Sequence, residues 1–552
     1  MTKRFAWTAI VLVATACGDD AAQGVWTPAP SDDGGGPVGD DAGRALDAGR
    51  AVDAAPDASP PLDPSGYPID DGAPNTNALS ADLAKNLTLT EIASYQSLKV
   101  PLAKDGAPVA RASWPNVWGS EAAVVPIVAG RDALLRIFVK PEAGYVPAAI
   151  TARVKVQTHG ASTVESHVFY ATKNVTAASI DADLASTINV TIPAAALKPG
   201  ATFGVVLNAA GSTPPPTGAS NARYPRDGSL ASIGASAGGD VMKIVLVPLK
   251  YNADGSGRLP DTSAAQVAMY KDQLFRKYPV ARVDVSVHAP VDYDSVVSHD
   301  NGAGDVLNFT TSIRDGDRPA ANVYYVGLLK PADNFWSYCG SGCIAGLSWV
   351  GAPVSMWWGY SGTDWSGGTG AHEVGHAHGL PHAPCGTSDP DYWPGDADHA
   401  SAKLGAWGWD PVDQKLFDPG GDPGANNTYR DMMSYCGPIW IGDFNYAKIW
   451  RQTKKDNGVT TMKRAGAPPA MRGVVMRGGK ATWEDHTVEW QPWIENGEPR
   501  TVSVVAADGS ETTATGYFFA YDHLPGGRLL VPAQPLARAR AVRVGSALVG
   551  LP

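Results

Sequence analysis

The stretch "HEVGHAHGLPH", residues 372–382, decides how the rest of this 552-residue chain is read. His372 and His376 stand four apart, so on a helix their imidazoles lie one turn apart on one face, where a single ion can take both. Glu373 would lean over that ion without binding it, placed to take a proton from water held there. Gly379 can adopt the left-handed conformation that ends a helix, and Pro381 cannot continue one. The chain therefore turns, and the turn can bring His382 back as a third ligand. Three neutral imidazoles and one open position describe a site for one catalytic zinc ion, whereas a closed structural site has no vacancy. A lone HExxH is weak evidence, but the spacing HExxHxxGxxH arises by accident on the order of once in 10⁵ chains of this length, which removes chance as its explanation. His378, two positions past His376, points off the ligand face and reads as packing or as a hydrogen-bond donor behind the ligands.

Working outward, residues 240–463 alternate strand and helix patterns. "VMKIVLVPL" reads as a buried strand, "TSAAQVAMYKDQLFRKY" as a helix opened by Thr262 or Ser263, and "ARVDVSVHA" and "NVYYVGLL" as further strands. With the histidine helix following, this is a sheet backed by helices. Residues 85–235 have period two instead: Ala152, Val154 and Val156 alternate with Arg153, Lys155 and Gln157, and Ile188, Val190 and Ile192 with Asn189 and Thr191. With "ALLRIFVKP" and "ATFGVVLNA" and Pro/Gly-rich turns, the expectation is an immunoglobulin-like β-sandwich. Over 466–552 the strand pattern returns in "TVEWQPWIE", "RTVSVVAADGS" with its Asp508-Gly509 turn, "GYFFAYDHL" and "AVRVGSALVGL", which predicts a second, smaller β-sandwich. The fold class is α+β, with the chemistry confined to the middle.

The first 17 residues carry Lys3 and Arg4, an apolar run from Phe5 to Ala14 and small residues before Cys17, the pattern of an export signal. Ala14-Thr15-Ala16-Cys17 resembles a bacterial lipobox, in which the cysteine is lipidated; Ala14-x-Ala16 also suits ordinary signal peptidase. Residues 18–78 hold twelve aspartates, two arginines and no lysine or glutamate, which is −10 of the chain's net −11. The acidity therefore belongs to an Ala/Asp/Gly/Pro-rich tether too poor in apolar residues to fold, and not to a binding face. No basic patch suggests nucleic acid. Four further cysteines, Cys339, Cys343, Cys385 and Cys436, fit an exported protein with two disulfides. Four cysteines allow three pairings, and spacing favours Cys339 with Cys343 and Cys385 with Cys436. The rival, a structural zinc held by all four thiolates, lacks paired CxxC spacing.

The motif resembles the zinc signature of the metzincin metalloproteases. That family places a tight methionine-containing turn beneath the zinc, and "DMMSYC" supplies one, with Met433 matching the methionine and Tyr435 two positions later. In some branches a tyrosine so placed is an extra zinc ligand that swings away to stabilise the transition state; the alternative for Tyr435 is packing alone. The flanking "HAPCG" and "DMMSYC", after "YQSLKVPL" and "LLRIFVKP", look most like secreted bacterial metzincins related to the StcE-type mucin-degrading peptidases. The resemblance implies a metzincin-like catalytic domain, a twisted mixed sheet with an active-site helix and an irregular C-terminal subdomain. It also places Cys385 and Cys436 near the zinc floor, and implies that substrate lies as an extra strand on the sheet edge carried by "CIAGLSWVG", residues 343–351. There Gly346 and Gly351 either let a backbone approach or serve as turn residues. Thiol latency, known in some metzincins, has no residue to use, since no cysteine lies between Cys17 and Cys339.

The function expected is an exported zinc endopeptidase acting on protein or glycoprotein substrates, anchored at the cell envelope or surface through the N-terminal lipid, or secreted. Glu373 would be its base, Tyr435 its second catalytic group, and His372, His376 and His382 its metal ligands. Two alternatives are an inactive glycan-binding adhesin built on the same domain and a zinc hydrolase acting on a non-peptide bond. The aromatics of "SMWWGYSG", "DYWPG" and "WGWD" could stack on sugars, though packing in an irregular subdomain is the preferred reading.

Overall fold

The computed structural model describes residues 83–551 apart from 116–121, 160–163, 210–220, 300, 341, 363, 388–392, 421–428, 459–469, 537–538 and 545–546. The expected signal segment, Cys17 and the tether therefore lie outside the described residues.

The period-two region folds as two facing antiparallel sheets. One contains Leu87–Tyr95, Lys99–Lys104, Ala133–Pro141 and Ile188–Ile192; the other contains Ala148–His159, Val164–Val175 and Thr202–Ala209. Val154, Val156 and Val205 from one sheet share a core with Ile92, Ile137 and Val190 from the other. The alternation is incomplete, because Arg153 and Lys155, expected on a wet face, are also buried.

The central domain is built on β1 (Val241–Tyr251), β2 (Arg282–Val287), β3 (Val323–Leu329), β4 (Gly346–Ser348) and β5 (Val354–Trp358), in the order β2-β1-β3-β5-β4. The first four in that order run parallel, and only the edge strand β4 is antiparallel to its neighbour β5. Helix α1 (Ala264–Lys277) starts at Ser263, whose hydroxyl accepts from the Gln266 N–H at 3.3 Å, as a helix opened by serine requires. Helices α2 (Ala303–Asp317), α3 (Asp364–Ala377) and α4 (Asp443–Asp456) complete the unit, and α3 carries the histidine motif against β4 and β5.

After residue 470, seven antiparallel strands are hydrogen-bonded into one continuous path, where the strand pattern suggested two stacked sheets. This sheet includes β6 (Glu511–Ala520) and β7 (Gly526–Pro532). It does not hang free. Met471, Trp493, Phe519 and Leu530 share one core with Val247, Trp349 and Met356 of the central domain. Beside that core the buried Arg528 guanidinium of β7 pairs with Asp315 of α2 at 2.5 Å and with Glu484 at 2.7 Å. The loop between β6 and β7 is thereby held against the histidine helix.

Candidate metal centre

Helix α3 is fixed from behind before any ligand is considered. The hydroxyls of Ser348 on β4 and Ser355 on β5 reach the Glu373 carbonyl at 2.7 and 3.1 Å, tying the middle of the helix to the sheet edge. The helix stops where the sequence says it should. Gly379 has φ +85°, and its N–H bonds back to the His376 carbonyl at 2.7 Å.

The turn that follows returns His382 to the helix face, with ring centroids 4.6 Å from His376 and 5.4 Å from His372. Two of the imidazoles are oriented by carbonyls: His372 Nδ1 donates to Met432 O at 2.7 Å and His376 Nδ1 to Leu380 O at 2.6 Å. A neutral ring that donates from Nδ1 keeps a lone pair on Nε2. The two Nε2 atoms face each other at 3.0 Å. Two lone pairs at that distance repel unless a cation or a proton lies between them, and protonation is disfavoured here. Burial pushes His372 down to about 3 and His382 to about 4, and holds His376 well below the usual imidazole range. The donor set thus fits a divalent ion of the zinc type.

Glu373 is buried beside this cluster. Its Oε2 has no hydrogen-bond partner among the described residues. Burial and then the neighbouring Asp522 carboxylate raise its carboxyl well above the usual range. Gly346 makes its position possible, since a Cβ there would lie 2.5 Å from Glu373 Cγ. The approach expected at Gly346 is therefore that of a side chain, and Gly351, with φ +89°, is a turn residue. His378 takes no part. It stacks on Tyr324 at 4.4 Å and donates to the Val374 carbonyl at 2.8 Å, the packing role expected for it.

Beneath the cluster, Met433 is fully buried, and its carbonyl accepts from Ala383 N–H at 2.9 Å. Tyr435 N–H donates to the Cys385 carbonyl at 2.9 Å, and the Cys385–Cys436 disulfide closes the same pair of turns. Cys339 and Cys343 form the second disulfide. These bonds hold His382 and the Met433 turn as one piece, and bring the Tyr435 hydroxyl to 3.2 Å from His382 Nε2. Trp357, Trp358, Tyr360 and Trp409 are buried, as packing requires, while Tyr392 of "DYWPG" lies outside the described residues.

Sequence reasoning missed two residues. Asp522 and His523, in the β6–β7 loop, enter the cluster from the C-terminal sheet. Asp522 Oδ2 lies 3.4 Å from His376 Nε2, and His523 bonds both Asp522 and the Tyr435 hydroxyl. Ligand atoms of His376, His382, Asp522 and His523 all lie within 4.8 Å of one another. The one sequence signal was an Asp-His pair ending an apolar strand before a Pro-Gly-Gly turn, and nothing in that pattern links it to a motif more than a hundred residues earlier.

Imidazoles converging beside a buried carboxyl, with a methionine turn below, define a candidate metal-dependent hydrolase centre. Residues 306–434, which span all of these groups except Tyr435, Cys436 and the C-terminal pair, match the family model Peptidase M66, a metallopeptidase family. The match supports a peptidase. No curated protein matches the chain.

Proposed function

We propose that the protein is an exported zinc-dependent endopeptidase that cleaves protein or glycoprotein substrates, with Glu373 as general base. The observation that carries this is the convergence of the His372, His376 and His382 imidazoles beside a buried glutamate, inside the span similar to Peptidase M66. Zinc bound there would polarise a peptide carbonyl and lower the pKa of a bound water towards about 7. The protein's own groups do the rest. Glu373, its proton affinity raised by burial, takes the proton from the attacking water and passes it to the leaving amine. The Tyr435 hydroxyl, beside His382, donates to the oxyanion that develops on the carbonyl. Met433 and the Cys385–Cys436 link keep His382 and Tyr435 at fixed separation, so little reorganisation is needed at the moment of reaction.

Export rests on the signal-like residues 1–17 and agrees with two disulfides, which persist in oxidising compartments. A lipid on Cys17 would anchor the chain at the cell envelope. The metzincin relationship rests on HExxHxxGxxH with Met433 below it.

Elemental analysis with a casein and mucin digestion tests the reading. The expected result is one zinc per chain in both the parent and Glu373→Ala, chelator-sensitive cleavage in the parent, and a loss of about 10³-fold in the variant. A parent chain without stoichiometric metal, or a variant that cleaves as well as the parent, contradicts it.

A further inference from the structure

Any peptide cut at this centre must bring a carbonyl up to Glu373 and the three imidazoles, and the sheet edge beside them is β4. Edge strands accept a peptide through their outward N–H and C=O groups. At the end of β4 and just past it, those groups are in use. Ser348 N–H donates to Asp522 Oδ1 at 2.8 Å, Asp522 N–H donates to Ser348 O at 3.3 Å, and Val350 N–H donates to Ala520 O at 3.0 Å. Trp349 and Tyr521 form an antiparallel bridge between these bonds, and their rings stack at 4.3 Å. Residues 520–522 therefore lie on the catalytic domain as an added strand of the chain's own making. The strand ends at the reaction point, because the Asp522 side chain is fully buried, beside Glu373 and 3.4 Å from His376 Nε2.

A carboxylate in that position is costly unless a cation shares it, since Glu373 and Asp522 would otherwise face each other as two buried acids. His523 bonds the same Asp522 Oδ2 that faces His376 and occupies the Tyr435 hydroxyl at the same time. The loop thus engages the metal-binding cluster, the base, the oxyanion donor and the peptide-binding edge together. The shared core and the Arg528 ion pairs hold it there.

We propose that Asp522 is a metal ligand supplied by the C-terminal sheet, and that residues 520–523 hold the centre at a low residual activity until they are displaced from β4. The inference rests on the zinc-peptidase reading and extends it to a regulated state of the same site. It assigns the C-terminal sheet a role beyond support: it is the chain's own inhibitor.

The test uses the full chain loaded with zinc or cobalt(II), as parent, Asp522→Asn, Asp522→Ala and the control Asp508→Asn, which alters an exposed turn of the same sheet. Asp522→Asn keeps an acceptor for Ser348 N–H and so guards against misfolding. Zinc affinity is read by competition with a chromogenic chelator, coordination by the cobalt(II) visible spectrum, and turnover with a short fluorogenic peptide. The expected result for both Asp522 variants is zinc binding weakened at least about tenfold, a changed cobalt spectrum, and peptide hydrolysis raised at least about tenfold, with Asp508→Asn like the parent. Parent-like affinity and spectrum in Asp522→Asn and Asp522→Ala overturn the ligand assignment. Weakened zinc with lower hydrolysis overturns latency, because Asp522 would then serve turnover. A parent chain that binds no zinc ends the zinc-peptidase reading itself, a failure separate from either of these.

Discussion

Gly346→Ala moves Glu373, the proposed base, without touching a proposed metal ligand. Gly346 has an ordinary backbone conformation, so alanine fits the strand and on backbone entropy alone would stabilise by about 0.4–1 kcal/mol. The added methyl, however, would sit 2.5 Å from Glu373 Cγ, 2.6 Å from Oε1 and 2.7 Å from Cδ. Carbon atoms pack at about 3.5–4.0 Å, so the carboxyl must retreat by about 1 Å. It cannot do so by shifting the helix, because the Ser348 and Ser355 hydroxyls hold the Glu373 carbonyl. A misplacement of about 1 Å costs on the order of 10²-fold in rate, or about 2.7 kcal/mol of transition-state stabilisation. The assay is kcat/KM for a fluorogenic peptide, together with zinc content and Tm for parent and variant. The expected outcome is a rate loss near 10²-fold with one zinc retained and Tm changed by no more than a few degrees. Parent-like kcat/KM in the zinc-loaded Gly346→Ala variant would refute the placement of Glu373 against β4.

The remaining predictions concern stability. Burial lowers His399, but the hydrogen bonds and negative charges of Asp443 at 2.8 Å and Asp396 at 2.7 Å together outweigh it and raise the imidazole to about 9. A folded value above the unfolded 6.5 means a contribution that is whole below about pH 6.5, declines towards 9 and is absent above it. That contribution is at most about 3 kcal/mol. The net is smaller, because burial also raises Asp443 against the pull of His399. Urea unfolding of parent and His399→Gln should therefore differ by about 2 kcal/mol at pH 6 and converge by pH 10, and a gap independent of pH would contradict this. Replacing both Cys385 and Cys436 by serine opens a link spanning 51 residues. Unfolding free energy should fall by up to about 4 kcal/mol on chain entropy, with weaker zinc retention because His382 and Tyr435 lose their common frame. Unchanged zinc affinity would separate the disulfide from the site.

Much of the site was legible because its physics is local. His372 and His376 are brought together by helical pitch, Gly379 ends that helix by its conformation, and His382 then lies within a short turn. Met433 and Tyr435 were reachable only through a family resemblance, since their approach depends on backbone bonds between two distant turns. The strands of the N-terminal region showed in their alternation, although Arg153 and Lys155 are buried where the pattern placed water. Asp522 and His523 showed only as an Asp-His pair at a strand end, because they reach the cluster only once residues 520–522 lie against residues 348–350. Gly346 was noticed as an approach point for a peptide, and the group that approaches is Glu373.

The central claim is that three imidazoles hold one ion. Zinc K-edge X-ray absorption on the metal-loaded full chain counts them directly. The expected result is a shell of nitrogen and oxygen at about 2.0–2.1 Å with the outer scattering of three imidazoles, falling to two in His382→Ala, and no sulfur. A sulfur shell near 2.3 Å, or an imidazole count that His382→Ala leaves unchanged, would contradict it.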